Sequence, residues 1–235
     1  MRSIIWILEF IISLLFTLPF LIKAKSIKKK KGKTEAAEYA YKITKKWVSS
    51  KLKLAGADIK IEGLDKIPQN EKIVFIANHQ SDFDIALLMN YIPGPKGFVA
   101  KIEMENLPII SSWMKIMGCV FIDRKSARKS VESIVEATNN VKKGINMVVF
   151  PEGSRSKGKP VSDFKLGSFR IALKSKAIIV PITIDGSYKL LEENMRIRPA
   201  KVKIKIHNPI DTKELTKEEK ENINNIVREE ILSAM

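Results

Sequence analysis

The chain has 235 residues, enough for one sizeable domain with a hydrophobic core and a short appendage. Its single cysteine, Cys119, excludes an internal disulfide, and two histidines without a Cys/His cluster make a zinc site, or any other metal site, unexpected. The formal net charge of +16 indicates an anionic partner: nucleic acid, an anionic membrane surface, an acidic protein or a phosphorylated small molecule.

The first element is an almost wholly apolar run from Ile4 to Ile22, which leads directly into seven lysines within residues 23–33. A helix of this length would reach about 28 Å, just short of the ~30 Å hydrocarbon core of a bilayer. Because Glu9 and Pro19 interrupt the run, a spanning, a re-entrant and an in-plane helix all remain open. Its length and the lack of a small-residue cleavage site argue against a secretory signal peptide.

The lysine cluster predicts where this segment lies. Basic residues next to an apolar segment collect at cytoplasmic headgroups and are attracted to anionic lipids. We therefore expect an anionic phospholipid membrane as partner, at the cytoplasmic face of a cell inner membrane or plasma membrane.

A second helix is predicted from Thr34 to Leu54, and Gly56 ends it. Its apolar face carries Ala36, Ala40, Ile43, Trp47 and Leu54, and most of its lysines lie elsewhere. Such a basic amphipathic helix suits a membrane surface, and packing of the same face on a soluble domain is the alternative. Residues 1–55 are thus predicted to form a membrane-associated two-helix motif, followed by one α/β domain in residues 56–235.

Short β-branched runs alternate with helical patterns in that second part. This alternation predicts an α/β fold with a mostly parallel sheet flanked by helices. The predicted strands are residues 59–62, 73–77, 97–100, 120–123, 147–150, 177–184 and 202–206, and the predicted helices are residues 83–90, 108–117, 127–142, 168–176 and 217–234. The last helix is expected to cover the domain with an apolar stripe through Ile223, Ile226 and Ile231.

The first candidate site follows the strand at residues 73–77 and reads Asn-His-Gln-Ser-Asp-Phe-Asp over residues 78–84. In α/β folds, ligands gather where strands end and helices begin. His79 followed by Asp84 in the first helical turn predicts a general base whose tautomer and orientation a carboxylate fixes. Alternatively, Ser81 and Asp84 form a helix capping box that needs no catalysis.

The second candidate site follows the strand at residues 147–150 and reads Pro-Glu-Gly-Ser-Arg-Ser over residues 151–156. Gly153 allows close approach of the backbone to a ligand, and Arg155 offers a bidentate fork for phosphate. A polar turn with a surface arginine is the alternative. A nucleotide-binding loop is a third reading, disfavoured because Pro160 stands where such a loop needs Ser or Thr.

Taken together, these segments resemble the glycerolipid acyltransferase family, specifically the 1-acylglycerol-3-phosphate acyltransferases. The family's His-x4-Asp motif is matched by His79 and Asp84. Its Glu-Gly-Thr-Arg block is matched by Glu152, Gly153, Ser154 and Arg155, with serine in place of the commoner threonine. Further blocks resemble Lys101, the run Val120–Arg124, Phe164-Lys165-x-Gly167 and Ile179–Ile182, so that the resemblance covers residues 73–185.

This resemblance implies transfer of a fatty acyl group from an acyl carrier protein or coenzyme A thioester, without a bound cofactor. The acceptor would be the sn-2 hydroxyl of lysophosphatidic acid, and the product phosphatidic acid, in phospholipid biosynthesis. The resemblance also assigns His79 as the general base and Asp84 as the carboxylate that orients it. Contacts with the acceptor phosphate are assigned to Lys101, Arg155 and Arg124. Glu152, Gly153 and Ser154 complete the substrate-binding block. Val180, Pro181 and Ile182 either help to line an acyl groove or pack in the core.

Three other functions compete with this interpretation. A related acyltransferase could use glycerol 3-phosphate or another lysolipid. A non-enzymatic basic module could bind a membrane or nucleic acid, but the apolar leader and the lack of an aromatic stacking platform argue against nucleic acid as a partner. A nucleophilic-serine hydrolase is disfavoured because the chain contains no Gly-x-Ser-x-Gly.

Overall fold

Three helices, rather than the predicted two, precede the first strand in the computed structural model, which describes residues 1–235. They are α1 (Arg2–Phe16), α2 (Leu18–Lys31) and α3 (Lys33–Ala55). The apolar run is divided at Thr17, because Pro19 suits the first turn of a helix and would break a helix interior. No single helix has the length and hydropathy of a membrane span, although α1 and α2 pass that test together as a pair bent by 43°.

The second predicted helix is confirmed as α3, which ends at Gly56 in the left-handed conformation. Ala36, Ala40 and Leu52 of α3 are buried in the same apolar cluster as the sheet. The helix therefore packs on the domain, as in the alternative, but through a face that differs in part from the predicted one. Thr44, Val48 and Leu52 are buried, whereas Ile43, Trp47 and Leu54 are only half-buried.

Polar contacts also tie α1 to α3. The ammonium group of Lys51 forms an ion pair with the carboxylate of Glu9, and the Lys51 side chain is only 3% exposed. The indole of Trp47 donates to the hydroxyl of Ser13 at 2.9 Å. Glu9, which interrupts the apolar run, is thus matched by a basic residue of α3.

One mixed sheet forms the centre of the domain, with strand order β1-β7-β6-β2-β5-β3-β4 and β8 beside β6. The strands are β1 (Ala57–Glu62), β2 (Ile73–Ala77), β3 (Lys96–Lys101), β4 (Val120–Ile122), β5 (Asn146–Val149), β6 (Ile178–Asp185), β7 (Ala200–Ile206) and β8 (Ile210–Asp211). All pairs are parallel except β6 with β7 and β6 with β8. The predicted mostly parallel α/β fold is confirmed, whereas the two-residue β8 was not predicted.

Helices cover both faces of this sheet. The first face packs against α3, α4 (Phe83–Tyr91) and α5 (Pro108–Met117), and the second against α6 (Ala127–Lys142), α7 (Arg170–Ser175) and α8 (Lys217–Leu232). Strand β2 serves both cores, since Phe75 points into one and its neighbours Val74 and Ile76 into the other. A strand apolar at every position is typical of a parallel sheet buried on both faces.

The last helix is confirmed with one correction. The buried stripe of α8 runs through Ile223, Val227 and Ile231, and Ile226 is only half-buried. Because residues four apart share a helix face, Val227 rather than Ile226 falls in line with the other two.

Pro181 in the middle of β6 stands where the partner strand changes from β8 to β7. Its carbonyl oxygen accepts a hydrogen bond from the backbone N–H of His207 at 3.0 Å. Proline lacks an N–H, and at this changeover it interrupts no antiparallel ladder pair with β7 or β8.

The site is positioned by four adjacent parallel strands, β2, β5, β3 and β4. Since parallel strands end at one edge of the sheet, the turns that follow them lie side by side. These turns begin at Asn78, Phe150, Ile102 and Asp123 respectively, and they include or adjoin all the polar site residues predicted above.

Candidate active site

The turn after β2 holds His79 and Asp84 together. The Nδ1 atom of His79 lies 2.8 Å from Oδ2 of Asp84. The same oxygen accepts the backbone N–H groups of Gln80 at 2.6 Å and Ser81 at 2.8 Å. Asp84 is fully buried, so its carboxylate is fixed by this turn and in turn fixes the imidazole.

The free nitrogen of His79 is available for chemistry. With Nδ1 donating to a carboxylate, Nε2 carries the lone pair and makes no hydrogen bond within the protein. The imidazole stacks on Phe150 with ring centroids 4.0 Å apart, and the side chain remains 14% exposed. This arrangement provides an oriented, accessible general base.

The capping-box alternative is present only in part, because the helix begins after Asp82 and the Ser81 hydroxyl does not accept the N–H of Asp84. The hydroxyl of Ser81 accepts the N–H of Phe83 at 3.1 Å, while Asp84 accepts the N–H of Ser81. One carboxylate thus both closes the start of α4 and orients the histidine. The two interpretations of this turn are compatible.

Two residues of the turn that the sequence did not single out tie it to β6. The side-chain amide of Asn78 donates to the carbonyl of Ile184 and accepts its N–H, both at 2.8 Å. The side-chain oxygen of Gln80 accepts the N–H of Gly186 at 3.0 Å. The sequence shows that these two amides follow an apolar strand, but their hydrogen-bond partners lie about a hundred residues away.

Glu152 joins the two candidate turns. One carboxylate oxygen accepts the backbone N–H of His79 at 2.6 Å, and the other accepts the N–H and hydroxyl of Ser162 at 3.1 and 3.2 Å. Burial raises the pKa of this carboxyl, and the hydrogen bonds from His79 and Ser162 oppose that shift. Glu152 was predicted to bind substrate, but its contacts in this structure are with the protein. These contacts hold the backbone of His79 in position.

Gly153 lies at the centre of a basic cluster. Its φ of +78° is the left-handed conformation that glycine adopts without strain. A Cβ at this position would lie 2.9 Å from Nζ of Lys165 and 3.5 Å from Nη1 of Arg124. Arg124 follows β4, two strands away from β5, so its side chain reaches back across the edge of the sheet.

Arg155 points elsewhere. Its guanidinium forms an ion pair with Asp82 and a second contact, at 3.2 Å, with Glu192. Glu192 also accepts the N–H of Asp82 at 2.9 Å. Ser154, between Gly153 and Arg155, is exposed. Arg155 therefore braces the turn of His79 in this structure.

Lys101 ends β3, next to β5, and is exposed. It forms no ion pair. Arg124 is also without an ion pair, and burial lowers its pKa while nearby Glu103 opposes the shift. Both cations remain available to an anion.

Val180, Pro181 and Ile182 are buried within β6, opposite Phe75, Ile76 and Ala77 of β2. Val180 and Ile182 have no exposed surface. Their contacts are those of the core-packing alternative.

The loop after β5 does not have the geometry of a nucleotide-binding loop. Such a loop delivers phosphate to the N-terminus of a helix that follows it directly. Here turns and extended chain occupy residues 151–165, and the next α-helix begins only at Arg170.

Comparison with known proteins agrees with this geometry. The sequence model of the family described as Acyltransferase matches residues 58–185. The 1-acyl-sn-glycerol-3-phosphate acyltransferase of Borreliella burgdorferi is 29% identical over 77% of this chain and 73% of its own length. A probable 1-acyl-sn-glycerol-3-phosphate acyltransferase of Mycoplasma pneumoniae is 30% identical over 82% of this chain and 77% of its own.

A solved structure extends the match to the whole fold. The crystal structure of the 1-acyl-sn-glycerophosphate (LPA) acyltransferase PlsC from Thermotoga maritima superposes with a TM-score of 0.82. It is 28% identical, and the match covers 98% of this chain and 95% of that one. The family match spans more than half of the sequence and includes both candidate turns, so the chain belongs to the acyltransferase family.

Proposed function

We propose that this chain transfers a fatty acyl group from a thioester donor to the sn-2 hydroxyl of lysophosphatidic acid, giving phosphatidic acid. The observation that carries the proposal is the unbonded Nε2 of His79, oriented by buried Asp84, beside the basic turn at Gly153. The relatives named for this reaction support the choice of acceptor.

In the mechanism we propose, Nε2 of His79 takes the proton of the acceptor hydroxyl while its oxygen attacks the thioester carbonyl. A carbon–oxygen bond forms, and the carbonyl oxygen becomes an oxyanion. When this intermediate collapses, the carbon–sulfur bond breaks and the leaving thiolate takes the proton from the imidazolium. Asp84 stabilises the imidazolium, and such base assistance accelerates reactions by about 10²–10⁴-fold.

The oxyanion needs donors beside the base, and the second turn supplies candidates. The N–H of Gly153 is already bonded to the carbonyl of Phe150 at 3.1 Å. The N–H groups of Ser154 and Arg155 make no hydrogen bond within the protein. We assign the oxyanion to these two donors, since one well-aimed donor contributes about 3–4 kcal/mol to transition-state stabilisation.

The exposed surface of α1 supports a membrane location for this reaction. Its large apolar side chains are between 51% and 73% exposed: Ile4, Ile5, Ile7, Leu8, Ile11, Ile12, Leu15 and Phe16. An exposed apolar surface of this kind suits lipid, and the lysines of α2 suit anionic headgroups. The lipid acceptor and the phosphatidic acid product reside in the same membrane. We place the protein at the cytoplasmic face of an inner or plasma membrane.

The donor is proposed by class only, as an acyl thioester of acyl carrier protein or of coenzyme A. The basic surface suits either an acidic carrier protein or the phosphates of coenzyme A. Neither choice changes the chemistry at His79.

The full-length protein in vesicles of anionic phospholipid, assayed with both donors and a panel of acceptors, tests the proposal. Lysophosphatidic acid should give phosphatidic acid, and the His79→Ala variant should not. Preferential acylation of glycerol 3-phosphate or of a lysolipid lacking the phosphate monoester would overturn the choice of acceptor. Activity retained in His79→Ala would overturn the mechanism.

A further inference from the structure

The aromatic side chains of α1 reach the turn that carries His79. The ring centroid of Trp6 lies 5.6 Å from that of Phe83 and 5.2 Å from that of Phe10. Trp6 is half-buried, and Phe83 is 5% exposed. The helix whose other side is apolar and exposed thus packs an indole against the start of α4.

Phe83 connects this contact to the proposed base. It is the first residue of α4, and its backbone N–H donates to the hydroxyl of Ser81 at 3.1 Å. The next residue is Asp84, whose carboxylate lies 2.8 Å from Nδ1 of His79. Because neighbouring Cα atoms are held about 3.8 Å apart by the chain, a shift of Phe83 also moves Asp84.

Trp6 is held in place from the side of α3. Its indole N–H donates to the backbone carbonyl of Lys51 at 3.0 Å. The ammonium group of the same lysine pairs with Glu9, further along α1. The indole therefore lies between a fixed helix and the start of α4, and an aromatic pair adds packing that a smaller apolar side chain would lack.

A second contact from α1 supports the same turn by another route. The hydroxyl of Ser3 accepts the backbone N–H of Ile197 at 2.9 Å. The segment before Ile197 contains Glu192, whose carboxylate accepts the backbone N–H of Asp82 at 2.9 Å. Since Ser3 and Trp6 are three residues apart on one helix, they share a face, and α1 supports the turn of His79 on two sides.

We propose that Trp6 is a positioning residue of the active site, because it holds Phe83 and, through Phe83, the carboxylate of Asp84 where it orients His79. The proposal rests on the function proposed above and adds a residue of α1 to its site. A misplacement of about 1 Å that originates far from the chemistry can lower a rate about 10²-fold. Asp84 orients the base rather than the acceptor, so the effect falls on kcat rather than on KM.

The kinetic test compares Trp6→Leu with the matched control Trp47→Leu. Trp47 is an indole of the same interface between α1 and α3, but its ring packs on Phe10 and its N–H donates to Ser13. The constants kcat and KM for lysophosphatidic acid are measured per vesicle-bound enzyme, so that altered membrane binding does not enter. We expect Trp6→Leu to lower kcat about tenfold with KM within about twofold, and Trp47→Leu to keep kcat within about twofold. Trp6→Phe, which keeps a ring against Phe83, should retain most of the activity.

A double-mutant cycle shows whether the loss comes from this one contact. Phe83→Leu removes the other ring and should reproduce the fall in kcat. Combining it with Trp6→Leu should lower kcat no further, because the contact is already absent. Falls that multiply, equal losses in the two tryptophan variants, or a change in KM alone would overturn the proposal. Unfolding temperatures identify the folded variants, and Trp6→Met takes the place of Trp6→Leu in the cycle if the latter does not fold.

Hydrogen exchange separates this proposal from the proposed reaction. The backbone N–H groups of Gln80 and Ser81 donate to Asp84, so their exchange reports on the turn without any substrate. Exchange in a peptide containing residues 79–84 should be faster in Trp6→Leu than in the wild type or Trp47→Leu, and unchanged exchange would contradict the positioning role. A wild type that shows this exchange pattern yet fails to acylate lysophosphatidic acid would sink the proposed function and leave the positioning role standing.

Discussion

The two histidines of this protein make nearly the same contact in opposite surroundings. Nδ1 of His79 lies 2.8 Å from Asp84, and Nδ1 of His207 lies 2.7 Å from Glu230. At the first pair, the carboxylate is fully buried and the imidazole partly open. At the second, the imidazole is 1% exposed and the carboxylate 46% exposed.

The other ring nitrogen completes the contrast. Nε2 of His79 has no partner in the protein, whereas Nε2 of His207 lies 2.8 Å from the hydroxyl of Thr183 inside the core. A histidine paired with a carboxylate becomes a base only when its second nitrogen can reach a substrate. The comparison therefore separates the proposed catalytic dyad from a structural one by exposure, and each of the following changes tests that separation.

The largest expected effect comes from His79→Ala. Removing the base should lower kcat/KM for lysophosphatidic acid by about 10²–10⁴-fold, the usual contribution of general-base catalysis. His207→Leu, assayed on the same amount of folded protein, should stay within about twofold of the wild type because its ring does not reach the site. Equal losses in the two variants would contradict the comparison.

Exchanging each carboxylate for its amide should have the next largest effect. Asp84→Asn leaves an imidazolium without a counter-charge and should lower kcat by roughly 10²-fold or more. Glu230→Gln makes the same exchange at the exposed partner of His207 and should leave kcat nearly unchanged. The measurement is steady-state kinetics on vesicles, and a mild effect of Asp84→Asn would show that orientation by backbone N–H groups is sufficient.

A smaller loss of activity is expected from Glu152→Gln. The amide oxygen can still accept the N–H of His79, but the amide nitrogen then faces the N–H of Ser162. We expect roughly a tenfold fall in kcat (about 1.4 kcal/mol), because the weakened contact with exposed Ser162 loosens the side chain that places the backbone of His79. A rise in KM with unchanged kcat would mean that Glu152 contacts the substrate directly. The proposal that it positions His79 would then be wrong.

At the structural histidine the expected effect is on stability. His207→Leu should lower the free energy of unfolding by roughly 1–3 kcal/mol, because a buried hydrogen-bonded group is lost. Burial lowers the pKa of His207, which the contact with Glu230 opposes. The native pKa is thus below the unfolded one of about 6.5, so this stabilisation is present above that pH and is lost as the pH falls through the native pKa.

Thermal unfolding in detergent between pH 5 and 8 checks whether the stabilisation by His207 decreases as the pH falls. The gap in unfolding temperature between the wild type and His207→Leu should narrow on acidification. A gap that widens at low pH would mean that His207 is protonated in the folded protein.

The smallest expected effect on activity concerns Lys96, a buried basic group remote from both dyads. Its ammonium donates to the carbonyls of Ile92 and Gly94 at 2.8 and 2.6 Å, and burial lowers its pKa to about 7. The unfolded chain then binds one more proton between about pH 7 and 10, so stability should rise with pH by at most about 1.4 kcal/mol per unit there. Lys96→Met should flatten this part of the unfolding profile, while activity at His79 is unaffected.

Much of the site followed from the sequence because the fold is regular. The turns with His79 and Gly153 follow apolar strands, and parallel strands end at one edge, so their proximity was predictable from the pattern alone. The strand direction of β7 was not, since spacing does not report whether a strand runs parallel. That reversal places His207 opposite the middle of β6 rather than at the edge where the other turns gather.

Side-chain partners far apart in the sequence were beyond prediction. Arg155 was expected at the substrate, and its contact with Glu192 depends on a short irregular segment without any periodic pattern. Lys165 belongs to a short block noted in the sequence, but its direction toward Gly153 depends on the path of the loop between residues 151 and 165. The polar side chains of this site lie in loops without regular secondary structure. Their positions therefore cannot be predicted from the neighbouring residues in the sequence.

The ion pair between Glu9 and Lys51 has a consequence for how the protein is made. The carboxylate sits in α1, and its counter-charge comes 42 residues later in the chain, in α3. Before Lys51 has been synthesised, α1 carries the unpaired charge of Glu9 on an otherwise apolar segment. Such a charge disfavours partition of α1 alone into lipid. We therefore expect α1 to take its final position only after α3 has been synthesised.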